Sequence, residues 1–120
     1  FCLYRIILMK INYTSKWLLQ KVLAILFLIA SIYTFFSLKS LEFKNYETFT
    51  FWFKSYLNSF SVLVLFTSIF LHSNIGLTSI IDDYIHNQSS KKKILIVKNF
   101  FFVVLFLITI FSLIRLVFYV

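Results

Sequence analysis

The sequence predicts an all-α membrane protein with three transmembrane helices, and three observations predict it. First, 61% of the 120 residues are hydrophobic and 22% aromatic, while only 13% are charged. A soluble domain of this size is normally about half apolar, because it has a large surface to keep wet. Second, three long stretches carry no charge at all: Val22 to Leu38, Ser55 to Ile81 and Asn99 to Ile114. Third, the charges fall at the ends of those stretches, where long basic side chains reach the headgroup region. Three segments cannot close a barrel, and an open sheet edge leaves backbone polar groups unpaired in lipid, so the spans are helices.

The same arithmetic excludes several classes. A soluble enzyme lacks the polar sequence to cover so much apolar surface. Disorder fails because disordered chains are poor in aromatic and aliphatic residues. A single Cys excludes a disulfide framework and a Cys-based zinc site.

In chain order, residues 1–16 form a basic N-terminal segment with Arg5, Lys10 and Lys16 and no acid. It reads as an amphipathic interfacial stretch or a targeting stretch. Residues 17–120 form a three-helix membrane anchor, with helices at about 17–39, 54–83 and 97–119, each near or above the roughly 20 apolar residues that cross the hydrocarbon core. Lys21, Lys39 and Arg115 flank the first and third spans as snorkelling residues.

Charge sets the orientation. With three spans, Arg5, Lys10, Lys16, Lys21, Lys91, Lys92, Lys93 and Lys98 share one side, against Lys39, Lys44, Lys54 and Arg115 on the other. The positive-inside rule places the N-terminus on the matrix or cytoplasmic side. Trp17 is expected at the inner interface, with Tyr46, Trp52 and Tyr56 in an outer aromatic belt. The net charge of +8 is thereby distributed over the flanks of spans facing the lipid bilayer, and no nucleic acid partner is expected.

The second helix carries the chemistry. His72 lies ten residues before Asp82, about 15 Å along a helix axis and therefore deep in the bilayer. At spacings of three and four it shares a face with Ser61, Leu65, Ser68, Gly76, Ser79 and Asp83. Two readings stand side by side. A tight helix–helix seam uses small residues for close approach and His as a hydrogen-bonding tie. Alternatively His72 is an axial haem ligand, with its other ring nitrogen held by a second group and the sole Gly leaving room for a flat ligand. Ser68 would support the ring in either case, and a second haem ligand would come from another chain. At the membrane edge Tyr84 is an aromatic anchor or, beside Asp83, a hydrogen-bond donor to a carbonyl. His86 is a solvated loop residue, and Lys91 to Lys93 suit anionic headgroups or a soluble partner.

The stretch His72-Ser-Asn-Ile-Gly76-Leu-Thr-Ser-Ile-Ile-Asp-Asp83-Tyr84 resembles the hallmark of the small membrane-anchor subunit of succinate dehydrogenase, respiratory complex II. The family shows a His, a Gly four residues later and an Asp-Tyr pair at eleven and twelve, often with a Ser one turn before the His. The sister anchor shares the His-and-Gly pattern and lacks the Asp-Tyr ending, so the chain resembles the smaller, D-type anchor. The resemblance covers roughly residues 17–120.

It implies a non-catalytic subunit of a succinate:ubiquinone oxidoreductase. A flavoprotein subunit would oxidise succinate, an iron–sulfur subunit would carry the electrons, and ubiquinone would be reduced where that subunit meets the anchors. His72 would ligate haem b, opposite a ligand from the sister membrane-anchor subunit. Gly76 and Ser68 would pack beside the haem, and Lys21 would contact a propionate. Tyr84 would hydrogen-bond a ubiquinone carbonyl, supported by Asp83. Relatives carry Arg near the Lys21 position, and Lys offers a point charge without Arg's bidentate fork.

Residue usage adds a hint of another kind. With 17 Phe, 7 Tyr, one Gly and no Pro, the composition favours AT-rich codons. This suggests a mitochondrial genome and the mitochondrial inner membrane; a bacterial inner membrane is the alternative. The competing function is a non-catalytic structural membrane subunit of another respiratory assembly, with His72 as packing tie. A pore or holin-like protein is disfavoured, because only one helix carries a polar stripe.

Overall fold

In the computed structural model, residues 2–41 and 45–118 are described, with side chains from Thr14 onward. Arg5, Lys10 and Lys44 of the charge argument, and Tyr119 of the third expected helix, therefore lie outside the described side chains. All regular structure among the described residues is α-helical: α1 (Cys2–Lys39), α2 (Tyr46–Lys54), α3 (Tyr56–Tyr84) and α4 (Gln88–Phe118).

Three of these contain stretches long and apolar enough to cross a membrane: Thr14–Lys39, Tyr56–Tyr84 and Gln88–Phe118. At 1.5 Å per residue they measure about 39, 43 and 46 Å, more than the roughly 30 Å hydrocarbon core. Their ends therefore reach the headgroups or the helices tilt. The expectation of an all-α protein with three membrane-spanning helices is met.

Helix α3 is central. Helix α1 packs on α3 most extensively, and α4 packs on α3 as well. Both neighbours run antiparallel to it. Along α1, Gln20 meets His72 and Tyr33 meets Asn58. Along α4, Lys91 meets Asp82, Lys98 meets Thr78, and Phe102 and Phe106 meet Phe70 edge-on. The outward faces stay apolar and exposed, as expected of helices whose solvent is lipid.

The short helix α2 was not anticipated as a separate element. It plugs the end of the bundle at which α1 finishes, where Trp52 and Phe53 pack with Val62, Leu38, Leu41, Leu113 and Leu116. The break after Lys54 has a local cause. Ser55 is extended, with φ −71° and ψ 122°, and the last carbonyls of α2 are taken by side chains from the first turn of α3. Asn58 Nδ2 donates to Trp52 O at 3.0 Å, and Ser59 Oγ donates to Phe53 O. Trp52, expected in an outer aromatic belt, is instead only 5% exposed, and its Nε1 donates to Ser37 Oγ at 2.8 Å. A buried indole N–H needs such an acceptor. Tyr46 and Tyr56 are exposed.

At the other end, Ile85 to Asn87 link α3 to α4. Asn87 caps α4, its Oδ1 accepting the Ser89 N–H at 3.1 Å. Helix α4 thus starts at Gln88, well before Lys98. Lysines are good helix formers and do not end the helix. Likewise α1 runs unbroken through residue 16, where the sequence suggests a division between N-terminal segment and first span.

Candidate functional site

The polar stripe on α3 meets α1 at His72 and Gly76, both beside Gln20. Ser61 and Ser68 are buried, His72 and Gly76 are half-buried, and Ser79 and Asp83 beyond them are exposed. Ser68 is the most enclosed, at 2% exposed. Its Oγ lies 2.6 Å from Val64 O and 3.0 Å from Leu65 O, so its hydroxyl is spent on its own helix and makes no hydrogen bond to His72. What Ser68 contributes is small size at a close contact.

His72 is fixed from α1. Its Nδ1 sits 3.0 Å from the backbone carbonyl oxygen of Gln20. A carbonyl only accepts, so Nδ1 carries the proton, and the neutral ring then has its lone pair on Nε2. Nε2 makes no hydrogen bond among the described residues. Gln20 also borders Gly76: a Cβ there would lie 3.5 Å from Gln20 Nε2, an ordinary contact with the end of a flexible side chain. Packing against α1 therefore does not require glycine at this position. Gln20 carried no signal in the sequence, because the atom that matters most is its main-chain oxygen.

Lys21 follows Gln20 and so sits at the level of His72. Its Nζ stands 3.6 Å from the centre of the Trp17 ring, a cation–π contact one turn back along α1. Tyr84 and Asp83 lie twelve and eleven residues beyond His72, about 18 and 16 Å along the axis. They belong to a second location, at the end of α3. Tyr84 is 80% exposed there, and its neighbour Asp82 pairs with Lys91 at 2.7 Å. Asp83 forms no ion pair among the described residues. His86 is exposed in the connecting loop.

The α3–α4 seam holds polar groups that the sequence reading left aside. Asn74 Oδ1 is buried and has no hydrogen-bond partner among the described residues. Thr78 Oγ1 donates to Asn74 O at 2.8 Å and accepts from Lys98 Nζ. Their spacing of four with Phe70, whose contacts with α4 are aromatic, was the available signal. No three His, Cys, Asp or Glu side chains come together among the described residues.

Residues 8–111, which include all of α2 and α3 and most of α1 and α4, match the family described as succinate dehydrogenase/fumarate reductase transmembrane subunit. The chain belongs to this family. No match was found among curated proteins. The protein is thus a multi-pass membrane anchor subunit of a multi-subunit succinate dehydrogenase or fumarate reductase complex. For an anchor subunit, the wide exposed apolar faces of all three long helices have two natural covers, lipid and neighbouring subunits.

Proposed function

We propose that this chain is the smaller, D-type anchor of a succinate dehydrogenase, that it supplies one axial ligand to haem b through His72, and that it borders the ubiquinone site with Tyr84 and Asp83. The observation that carries the haem reading is the Nδ1 contact with Gln20 O. An imidazole that ligates a metal characteristically gives its other N–H to a carbonyl or carboxylate, which fixes both tautomer and ring orientation. His72 has that arrangement with its own chain, with Nε2 as the ligating atom. Gly76 supports the reading as well. A mid-helix Gly costs about 1 kcal/mol against Ala, and the seam with α1 does not need it.

In this reading the residues divide their work. Gln20 O holds the His72 ring; Gly76 and Ser68 keep the α3 surface low beside it; Lys21, at the same level and seated on the Trp17 ring, would be the residue to contact a propionate. A haem here would supply a one-electron redox centre within the membrane. Tyr84 donates a hydrogen bond to a quinone carbonyl at the membrane edge, where Asp83 accepts or relays a proton. The flavoprotein and iron–sulfur subunits carry out succinate oxidation and electron delivery, and the sister anchor gives the second haem ligand. The D type rests on the Asp83-Tyr84 ending, and the excess of lysines on the N-terminal side puts that side in the matrix or bacterial cytoplasm. Residues 1–16 would be its basic interfacial segment, and the mitochondrial inner membrane its home.

The same Nδ1 contact also fits a structural tie, with His72 serving only to join α1 to α3. The haem spectrum separates the two readings. In the assembled complex, His72→Ala is expected to remove or shift the haem b absorbance while succinate oxidation with an artificial dye persists. An unchanged haem spectrum in an assembled His72→Ala complex would leave only the structural tie.

A further inference from the structure

Helix α3 ends against its own dipole. The carbonyl end of a helix favours cations, yet the last turn of α3 carries Asp82 and Asp83 and no basic residue. The two adjacent carboxylates also repel each other. Within the chain's own backbone, the Ile85 N–H donates to Ile81 O at 3.0 Å and closes this turn. A helix end so charged frays unless something outside the helix holds it.

Helix α4 supplies the missing cations. Lys91 Nζ lies 2.7 Å from Asp82 Oδ1, and one turn earlier on α3 the Thr78 hydroxyl accepts from Lys98 Nζ. Thr78 and Asp82 are four residues apart and Lys91 and Lys98 seven apart, so each pair lies along one face of its helix. The end of α3 is thus gripped at two points. The grip is also selective. Lys92 and Lys93 are exposed and make no ion pair among the described residues, and neither does Asp83. Tyr84, two residues beyond Asp82 and about 200° round the axis from it, is left 80% exposed.

We propose that Lys91 is a positioning residue for the quinone end of α3: by pairing with Asp82 it keeps the last turn helical, and so holds Tyr84 and Asp83 in place. Lys98 on Thr78 anchors the turn before it. The proposal rests on the quinone reading of Tyr84 and Asp83. Because Asp82 is spent on the ion pair, Asp83 is the free carboxylate beside Tyr84. A fraying turn would let the Tyr84 hydroxyl wander, and a hydrogen bond to a carbonyl tolerates little error in distance or angle.

The intact complex tests this with two readouts, hydrogen exchange of the backbone over residues 81–86 and steady-state kinetics with decylubiquinone. In Lys91→Gln, exchange over that stretch is expected to quicken roughly two- to five-fold, the range of a partly exposed ion pair. KM for decylubiquinone should rise by a similar factor while the succinate-to-dye rate holds. Lys91→Arg should behave as wild type. Lys91→Asp with Asp82→Lys should restore both readouts, since each exchanged charge suits its helix end. Lys92→Gln, which removes the same charge one residue away, should change neither. Unchanged exchange in Lys91→Gln overturns the proposal. Equal effects of Lys91→Gln and Lys92→Gln overturn it too, in favour of a general charge effect at the membrane surface. Faster exchange with normal quinone kinetics, in a complex that Tyr84→Phe impairs, overturns the positioning role. If Tyr84→Phe itself leaves quinone reduction untouched, the quinone reading has failed, and the exchange rates alone decide whether Lys91 holds the turn.

Discussion

His72 on α3 and Gln20 on α1 are joined across the helix seam by a 3.0 Å contact between the ring Nδ1 and a main-chain oxygen. The bond commits the imidazole to one tautomer. It also ties the only ring nitrogen pair within the α3 span to a partner that no side-chain substitution removes. The consequences can be measured at several positions around it.

Gly76 is the first. Ala at this position meets only Gln20 Nε2 at an ordinary distance, so Gly76→Ala should fold and assemble, with up to about 1 kcal/mol gained in helix propensity. Gly76→Leu, projecting a full side chain beside His72, should disturb the haem spectrum while dye-linked succinate oxidation persists. A normal haem spectrum in the Leu variant would count against a ligand approaching along this face.

Tyr84 tests the quinone reading. Removing its hydroxyl in Tyr84→Phe deletes one hydrogen bond of about 0.5–1.5 kcal/mol. Quinone reduction should then slow by a factor of a few to about ten, with the succinate-to-dye rate unchanged. An equal fall in both rates would place the defect in assembly, since the dye bypasses the quinone.

Asn58 organises the end of the bundle around α2. Its Nδ2 donates to Trp52 O at 3.0 Å, and its Oδ1 accepts from Tyr33 OH at 2.8 Å and lies 3.5 Å from Ser37 Oγ. Asn58→Leu removes these bonds together, and at about 0.6 kcal/mol for a typical bond within a membrane the loss should total about 1–2 kcal/mol. Heat-induced dissociation of the complex should come at lower temperature, with the haem spectrum intact below that point. A Trp52 fluorescence unchanged by the substitution would contradict the contact.

Topology is open to labelling. In a Cys2→Ser background, Ser89→Cys in the first turn of α4 should react with an impermeant thiol reagent from the matrix or cytoplasmic side, and Ser40→Cys from the opposite side. Reaction of both from one side would remove the three-span arrangement, and reversed sides would overturn the orientation drawn from the lysines.

The sequence made α3 almost fully legible. Its length, its stripe and the Asp83-Tyr84 ending are local properties, and a period of 3.6 converts them directly into a face. Less could be read at its edges. Lys98, read near the start of the third helix, and Lys91 to Lys93, read as loop, all fall inside α4, because a membrane boundary and a helix boundary obey different rules. Trp52 read as a belt residue is buried, because a nine-residue helix folds back into the gap between helix ends, and only three-dimensional proximity supplies its partner Ser37.

By itself, the sequence determined that this protein is three greasy helices with their basic ends mostly on one side, and that one helix carries the unusual residues. Hydrophobic length and charge placement suffice for that, since lipid penalises every unpaired backbone group and every buried charge. Only the tertiary structure decided which atom His72 faces, that Ser68 bonds to its own backbone, and that Gly76 is not needed to seat α1. The first and last of these depend on the antiparallel register of α1 against α3, which brings together residues some fifty positions apart.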